Sequence, residues 1–189
     1  MLSDDGRSYP FDARGSGYGR GEGVSVVLLK RLADAVQAGD NVRAIIRSSA
    51  INQDGRTNGI TLPNQHAQEC LERATFQLAG IDPHSIHYIE THGTGTSVGD
   101  LAELQGIANV FCAHGRHQNK LYIGSIKSNI GHLESSSGLA GLIKTVVMLE
   151  KGLIPPNADF QRKKQRLKLE EWNMKVRHGL VFCNFIFSD

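Results

Sequence analysis

Two histidines stand where this chain could carry out chemistry, each after a predicted strand and within a glycine-rich turn. His92 lies in the run from Ile86 to Asp100, and His132 lies in the run from Leu121 to Gly138. Glycines in these turns permit positive φ angles and a close approach of a ligand to the backbone. Because α/β proteins place their reactive groups in turns that follow strands, both histidines are candidate site residues.

Four strands are predicted to support these turns. Apolar, β-branched runs indicate strands at Val24–Leu29, Val42–Ile51, Ile86–Glu90 and Leu121–Ile126. Helical stretches separate them along the chain, and this alternation is typical of a mostly parallel sheet covered by helices. The predicted fold class is therefore α/β.

Apolar spacing and end signals predict two helices before the first histidine. One runs from Lys30 to Ala38, and the other takes Pro63 as its first residue and ends at Gly80. We expect the second helix to bury one apolar stripe. The stripe consists of Ala67, Cys70, Leu71, Ala74 and Leu78.

A further helix is predicted after each histidine turn. The first of these helices runs from Leu101 to Phe111. Asp100 is its expected N-cap, and Glu103 is the expected partner of Asp100 in a capping box. The last helix is expected to be capped by Ser135 or Ser136 and to end at Gly152. We expect it to be mostly buried, because its apolar residues cover more than one face. Those residues are Leu139, Leu142, Ile143, Val146, Val147 and Leu149.

Composition indicates an ordinary globular chain. It has 189 residues, a hydrophobic content of 40% and a formal net charge of +2, which gives no reason to expect nucleic acid or a membrane as partner. No apolar run approaches the ~20 residues of a membrane span, and the acidic start is unlike a signal peptide, so we expect a cytoplasmic location. The basic run Arg162–Lys168 is expected to be a solvated face.

The remaining polar groups favour structural roles. Cys70, Cys112 and Cys183 are odd in number and widely spaced, which predicts reduced thiols and no zinc site. His114 and His117 lie in a polar loop without a neighbouring cysteine or carboxylate, so a solvated loop is favoured over a metal site. The glycines of residues 1–23 precede a predicted strand, which favours a loop packed on neighbouring backbone over a phosphate-binding loop.

Four segments resemble β-ketoacyl synthases, and the similarity is greatest to the ketosynthase domain of a polyketide synthase. They are Pro10-Phe-Asp-Ala-Arg-Gly-Ser-Gly-Tyr-Gly-Arg-Gly-Glu-Gly, Asn52-Gln-Asp-Gly-Arg-Thr-Asn-Gly, Glu90-Thr-His-Gly-Thr-Gly-Thr and Lys127-Ser-Asn-Ile-Gly-His. The resemblance runs from about Leu2 to about Val176. It implies a thiolase-like layered α-β-α-β-α fold, present here in part. By this resemblance, residues 1–60 end the N-terminal half, residues 61–176 form the C-terminal half, and residues 177–189 are a divergent tail.

The same resemblance implies roles for the residues around the histidines. A ketosynthase joins an acyl thioester to a decarboxylating malonyl thioester, in polyketide or fatty acid biosynthesis. His92 and His132 would polarise the malonyl thioester carbonyl, and Lys127 would organise the site electrostatically. Glu103 is either the ion-pair partner of Lys127 or a helix-cap residue.

Substrate binding is also implied by resemblance. Thr94 and Thr96 would lie near the phosphopantetheine arm of an acyl carrier protein, which brings the malonyl and acyl thioesters, and Asn129 would order the second turn. No cofactor or metal is expected on this chain itself.

Two departures from the family pattern set limits on the expected activity. The family's nucleophilic cysteine belongs to a serine-rich motif upstream of residue 1, and its closing Gly-Phe-Gly-Gly turn is replaced by the residues that follow Val176. We therefore expect no autonomous condensation. We also expect poor solubility unless a homodimer or a complementary ketosynthase portion covers the apolar strands.

Two alternatives to a working ketosynthase remain open. A truncated, non-catalytic remnant or interaction module would explain the missing motifs. A serine hydrolase is indicated weakly, because Gly95-Thr-Ser-Val-Gly99 fits the nucleophile-elbow pattern with Ser97 as nucleophile.

Overall fold

Helices and strands alternate through the second part of the chain, whereas most of the first 60 residues are irregular. The computed structural model describes residues 1–57, 59, 62–113 and 119–182, with the backbone alone for Val181 and Phe182. Its helices are α1 Leu32–Ala38, α2 Gln65–Ala79, α3 Gly99–Phe111, α4 Lys127–Ile130 and α5 Ser137–Lys151. Its strands are β1 Tyr88–Glu90, β2 Leu121–Gly124, β3 Leu153–Ile154, β4 Met174–Val176 and β5 Val181–Phe182.

A parallel sheet in the order β1-β2-β4 carries the histidine turns, and β3 pairs with β5 in a separate antiparallel ribbon. Ile89 lies beside Ile123, which in turn lies beside Val176. Because all three strands run in the same direction, the turns that follow β1 and β2 emerge at one edge. The predicted α/β class is confirmed by this sheet and its helices.

The hydrophobic core joins this sheet to α3. Phe111 of α3 meets Phe76 of α2 edge-on, with ring centroids 5.0 Å apart. Edge-on aromatic pairs stabilise a fold beyond the contribution of their buried apolar surface. The buried cluster consists of Phe11, Leu104, Ile107, Ala108, Val110, Phe111, Leu121, Ile123, Leu167, Leu169, Met174 and Val176.

Glycine ends three helices in the left-handed conformation, as predicted. They are Gly39, Gly80 and Gly152. The start of α2 differs from the prediction, because the Asn64 side chain accepts a hydrogen bond from the Ala67 N–H at 3.1 Å. Pro63 therefore precedes the cap instead of taking the first helical position.

The apolar stripe predicted for α2 is not buried. Cys70 is exposed and Leu78 is 74% exposed, and α2 has no buried residue at all within the described chain. The contact with α3 is made by another face, which includes Glu69 and Phe76. The prediction was wrong because the contact of this helix with α3 is partly polar and uses another face of the helix.

The two earliest predicted strands are also wrong. Val24–Leu29 and Val42–Ile51 are irregular, and Val24, Val26 and Leu28 are 93%, 85% and 97% exposed. Neither segment pairs with another strand in the described chain, so the hydrogen bonds that define a strand do not form.

Helix α5 is less buried than its apolar content predicts. Only Ala140, Gly141 and Met148 are buried, whereas Ile143 is 39% exposed and Val147 is 44% exposed. Ser136 is the N-cap residue of this helix, as predicted, but its hydroxyl makes no capping hydrogen bond and donates instead to the Gly23 carbonyl at 2.9 Å.

Three strands were missed, because β3, β4 and β5 are only two or three residues long. His114, His117 and Cys183 lie outside the described residues. No helix in the described part of the chain is long and apolar enough to cross a membrane.

Candidate active site

The two histidines meet at the edge of the sheet where β1 and β2 end. His92 follows β1, and His132 follows β2 after the short helix α4. Their ring centroids lie 5.4 Å apart and the ring planes are nearly perpendicular, at 83°. The structure therefore brings together two residues that are 40 positions apart in the sequence.

The His92 turn is held by a carboxylate from α3. The two oxygens of Glu103 accept hydrogen bonds from the backbone N–H groups of His92, at 2.5 Å, and Gly93, at 2.9 Å. Gly93 has a φ of 43°, and a β-carbon there would lie 2.6 Å from the Ser125 β-carbon. Only glycine fits this close approach of the two turns.

These bonds correct the predicted capping box. Val98, and not Asp100, is the N-cap residue of α3, and Glu103 bonds to the turn before the helix. The carboxylate therefore orients His92 instead of satisfying the helix end.

The glycine-rich segment near the N-terminus holds the His132 turn. The His132 N–H donates to the Gly19 carbonyl at 2.8 Å, and the Gly21 N–H donates to the His132 carbonyl at 3.0 Å. The Tyr18 ring lies 5.1 Å from the His132 ring. This segment packs on neighbouring backbone, as predicted, and its contact with His132 was missed.

One hydrogen bond fixes the tautomer of neutral His132. Its Nδ1 accepts the Glu134 N–H at 2.9 Å. Because Nδ1 is an acceptor, a neutral ring carries its proton on Nε2, which is a hydrogen-bond donor.

Desolvation and nearby charge favour the neutral form of both imidazoles, although His92 is exposed at the surface and His132 is half-buried. Desolvation lowers the pKa of His92 to about 4, and the charges of Lys127 and His132 act in the same direction. Desolvation followed by the Lys127 charge also lowers the pKa of His132. Near neutral pH both rings are therefore uncharged and each retains one N–H.

Lys127 lies at the start of α4 and is only 4% exposed. Desolvation lowers the pKa of its ammonium group, while the carboxylates of Glu103 and Glu90 oppose that shift. Within the described chain, no ion pair within 4 Å joins Lys127 to Glu103. Lys127 and Glu103 therefore interact through space, without a direct ion pair.

The other predicted site residues lie around the two turns. Thr94 is buried, and its hydroxyl lies 3.3 Å from that of Thr96, which also accepts the Gly99 N–H. Asn129 is exposed on α4, where its side-chain oxygen accepts a hydrogen bond from the Ser128 hydroxyl at 3.0 Å.

A partly buried ion pair behind the turns, between Glu90 and Lys144, was missed by sequence reasoning. Glu90 accepts hydrogen bonds from the Ile126 N–H and from Lys144 Nζ of α5, both at 2.6 Å, and from the Tyr88 hydroxyl. It thereby ties β1 to the start of α4 and to α5. The available signal was a lone lysine within the apolar run of α5.

A second buried pair joins the glycine-rich segment to α3. Asp100 is fully buried and accepts hydrogen bonds from the Phe11 and Gly95 N–H groups, at 2.8 and 3.0 Å. Lys164 Nζ lies 2.8 Å from its carboxylate and also donates to the Gly95 and Thr96 carbonyls. Part of the predicted solvated basic run is therefore buried.

The described cysteines lie away from the histidines. Cys70 is on the exposed side of α2, with its sulfur 3.6 Å from His66 Nε2. Cys112 follows the last residue of α3, about 18 Å along the helix axis from its first turn. The Ser97 residue is exposed, and no hydrogen bond joins its side chain to an imidazole within the described chain.

Comparison with known families divides the chain into two matches. Residues 43–161 match the family described as Beta-ketoacyl synthase, C-terminal domain. Residues 1–35 match the family described as Beta-ketoacyl synthase, N-terminal domain.

Curated relatives with high identity are fungal polyketide synthases. The chain is 54% identical over 176 residues to the highly reducing polyketide synthase sdnO of Sordaria araneosa, covering 93% of this chain and 6% of that protein. It is 56% identical over 177 residues to a highly reducing polyketide synthase of Aspergillus terreus, covering 93% of this chain and 7% of that protein. The chain thus spans less than a tenth of the length of these relatives.

Solved structures with the same fold are ketosynthases. The ketosynthase from module 6 of the Bacillus subtilis 168 bacillaene synthase superposes with a TM-score of 0.91 at 40% identity, over 96% of this chain and 33% of that one. The oxazolomycin ketosynthase domain OzmH KS7 of Streptomyces albus JA3453 gives a TM-score of 0.91 at 38% identity, over 95% of this chain and 31% of that one. The predicted thiolase-like fold is confirmed for the described residues.

Proposed function

Because this chain belongs to the β-ketoacyl synthase family, we propose that it supplies the decarboxylating part of a polyketide synthase ketosynthase site. His92 and His132 donate hydrogen bonds to the thioester oxygen of a malonyl group while its carboxylate leaves as CO₂. The electron pair of the broken C–C bond passes to the α-carbon and the carbonyl oxygen, giving an enolate. Donors aimed at such a developing oxyanion are worth roughly 3–4 kcal/mol each.

One observation supports this proposal most directly: the two imidazoles lie edge to face, with ring centroids 5.4 Å apart. The acceptor role of His132 Nδ1 leaves its Nε2–H for a substrate oxygen. A charged imidazole would also attract the malonyl carboxylate and hinder its loss, so neutral rings suit this step. Lys127 favours that neutral state through its buried positive charge.

We extend the proposal to the substrate and its carrier. An acyl carrier protein brings malonyl and acyl groups on its phosphopantetheine arm, with Thr94 and Thr96 beside that arm and Asn129 ordering the second turn. Full condensation, in polyketide or fatty acid biosynthesis, requires a nucleophile that none of the described cysteines supplies beside the histidines. A homodimer or a complementary ketosynthase portion would cover the exposed apolar segment near Val24.

The test is release of CO₂ from a malonyl thioester by the chain. His92→Ala and His132→Ala should each lower the rate about 100-fold or more, because each removes one of two donors. His84→Ala is the matched control, since His84 is exposed in the Pro83–Ser85 turn and should leave the rate unchanged. Equal rates in His132→Ala and the parent would refute the assignment.

A further inference from the structure

Glu90 is the last residue of β1, and its carboxylate connects three elements around the histidine turns. Its Oε1 accepts the Ile126 N–H at 2.6 Å, and its Oε2 lies 2.6 Å from Lys144 Nζ of α5. The Tyr88 hydroxyl also donates to Oε2 and accepts a hydrogen bond from Lys144 Nζ at 2.8 Å. Each oxygen of this carboxylate is therefore bound to a different part of the fold.

The ion pair between Glu90 and Lys144 is largely shielded from solvent. Their side chains are 12% and 10% exposed. Helix α5 can approach Glu90 because Gly141 has no side chain, and a β-carbon at that position would lie 3.1 Å from Glu90 Cγ. Lys144 comes three residues after Gly141, on the same face of the helix. The glycine and the lysine together bring a cation to this carboxylate.

The Ile126 N–H lies where the second histidine turn begins. Ile126 is the N-cap residue of α4, and Lys127 follows it as the first residue of that helix. The first N–H groups of a helix have no partner within the helix, so they depend on acceptors from elsewhere in the fold. Glu90 supplies that acceptor for Ile126.

The same carboxylate belongs to the strand that leads into the first histidine turn. Thr91, between Glu90 and His92, is attached to the end of β2, because its N–H and its hydroxyl both donate to the Gly124 carbonyl, at 2.9 and 2.8 Å. Displacing the Glu90 side chain would therefore release the start of α4, which leads to His132, from the strand that carries His92.

We propose that Glu90 and Lys144 are positioning residues for the two histidines. Lys144 orients the Glu90 carboxylate so that it accepts the Ile126 N–H, and this hydrogen bond holds the His132 turn against the His92 turn. The inference rests on the proposed function only for what the two imidazoles do. The contacts among β1, α4 and α5 do not depend on any activity.

Site-resolved hydrogen exchange tests this role, because the Ile126 amide reports its bond to Glu90. Glu90→Gln keeps the shape of the side chain but removes its charge, so exchange at Ile126 should become about fivefold faster, since ionised acceptors make stronger hydrogen bonds than neutral ones. Lys144→Met should have a similar effect, because Glu90 loses the cation that orients it. Both variants should also speed exchange of the His132 amide, whereas the amides of β2 should be unaffected.

Two further chains separate this role from a general loss of charge. Lys151→Met is the matched control, because it removes an exposed lysine from the last turn of the same helix and should leave exchange at Ile126 unchanged. The double variant Glu90→Gln with Lys144→Met should exchange like the single variants, because residues that act through one hydrogen bond are not additive.

Three results would overturn the proposal. One is exchange at Ile126 or His132 that either single variant leaves unchanged. Another is equal acceleration by Lys151→Met. The third is a double variant whose effect is the product of the two single effects.

Release of CO₂ from a malonyl thioester tests the consequence for the histidines. In Lys144→Met, with the β2 amides protected as in the parent, kcat should fall about tenfold or more and KM should change less than about twofold, because displaced donors stabilise the transition state poorly while the substrate contacts remain. A kcat equal to that of the parent would contradict the positioning role. A parent without CO₂ release, but with the expected exchange at Ile126 and His132, would count against the proposed function alone.

The parent chain gives a further measurement if Lys144→Met does not fold. Its Ile126 amide should be protected to within about tenfold of the Tyr122 amide, which donates to the His87 carbonyl of the sheet at 2.9 Å. A larger difference would show that Glu90 does not hold the start of α4, and the proposal would fall.

Discussion

A histidine can donate a hydrogen bond to a substrate only through a ring nitrogen that carries a proton. The proposed decarboxylation also requires that the ring be neutral. In His132 the Glu134 N–H occupies Nδ1, which leaves the proton on Nε2. Desolvation, followed by the Lys127 charge, lowers the pKa values of both His92 and His132. The backbone hydrogen bond to His132 Nδ1 fixes the position of the ring proton. The buried Lys127 ammonium favours the neutral form of both rings.

At the residue scale, the cysteines can be distinguished by their exposure. Cys70 is exposed and Cys112 is half-buried at the end of α3. We therefore expect iodoacetamide to alkylate Cys70 at least tenfold faster than Cys112, with Cys70→Ser as the control for peptide assignment.

Incubation with an acyl thioester should leave no stable adduct on Cys70 or Cys112, because neither lies beside the paired histidines. A single acyl adduct on Cys70 or Cys112 that depends on His92 would contradict this prediction.

Sequence motifs predicted the paired histidines but not the partner of Glu103. Glu103 lies three residues after Asp100, which is the spacing of a capping box, and local spacing cannot show that its oxygens reach the His92 turn instead. Cys70 was misplaced for a related reason. Its helical stripe is apolar, but the contact of α2 with α3 is partly polar.

At the scale of the elements, the basic segment between α5 and β4 forms structural contacts and is not only a solvated face. Asp12 of the glycine-rich segment accepts the Gln161 and Arg162 N–H groups, at 2.6 and 3.2 Å. Lys164 reaches the buried Asp100 at the start of α3. The basic run therefore joins the N-terminal segment to the helix that supports His92.

This placement predicts unequal effects for two lysines of the same run. Lys164→Met should leave the buried Asp100 carboxylate without its cation and cost roughly 3–5 kcal/mol. At this chain length that loss corresponds to a melting temperature lower by about 10 °C. Lys168→Met is the matched control, because Lys168 and its partner Glu171 are 60% and 64% exposed and such pairs are worth about 0–1 kcal/mol. Similar melting temperatures for the two variants would show that Lys164 does not stabilise Asp100.

Helix ends were easier to predict than strands, for a physical reason. Gly39, Gly80 and Gly152 end their helices through their own left-handed conformation, which is a local property. A strand needs a neighbour, and the apolar residues of Val24–Leu29 have none in the described chain. The strand β4 was missed because three residues carry too little periodicity to be recognised.

At the scale of the whole molecule, burial is uneven. The side of the sheet that meets α3 has a continuous core, which includes Leu104, Ile107 and Ile123. The segment from Val24 to Ile51 contributes many of the exposed large apolar residues. These are Val24, Val26, Leu28, Leu29, Leu32, Val36, Val42, Ile45, Ile46 and Ile51. Exposed apolar surface of this kind is typical of an interaction face or of a tendency to aggregate.

We expect this surface to make the chain self-associate in solution at micromolar concentration. Combining Val24→Ser, Val26→Ser and Leu28→Ser should increase the monomer fraction measured by sedimentation velocity, because all three side chains are at least 85% exposed. Their removal should change the free energy of unfolding of the monomer by no more than about 0.5 kcal/mol per site, since none is packed in the core. Leu78→Ser is the control, because Leu78 is 74% exposed on α2 and lies outside this segment. If the triple variant associated as strongly as the parent, the apolar segment would not be the cause of association, and its exposure would have to be explained by other contacts of the chain.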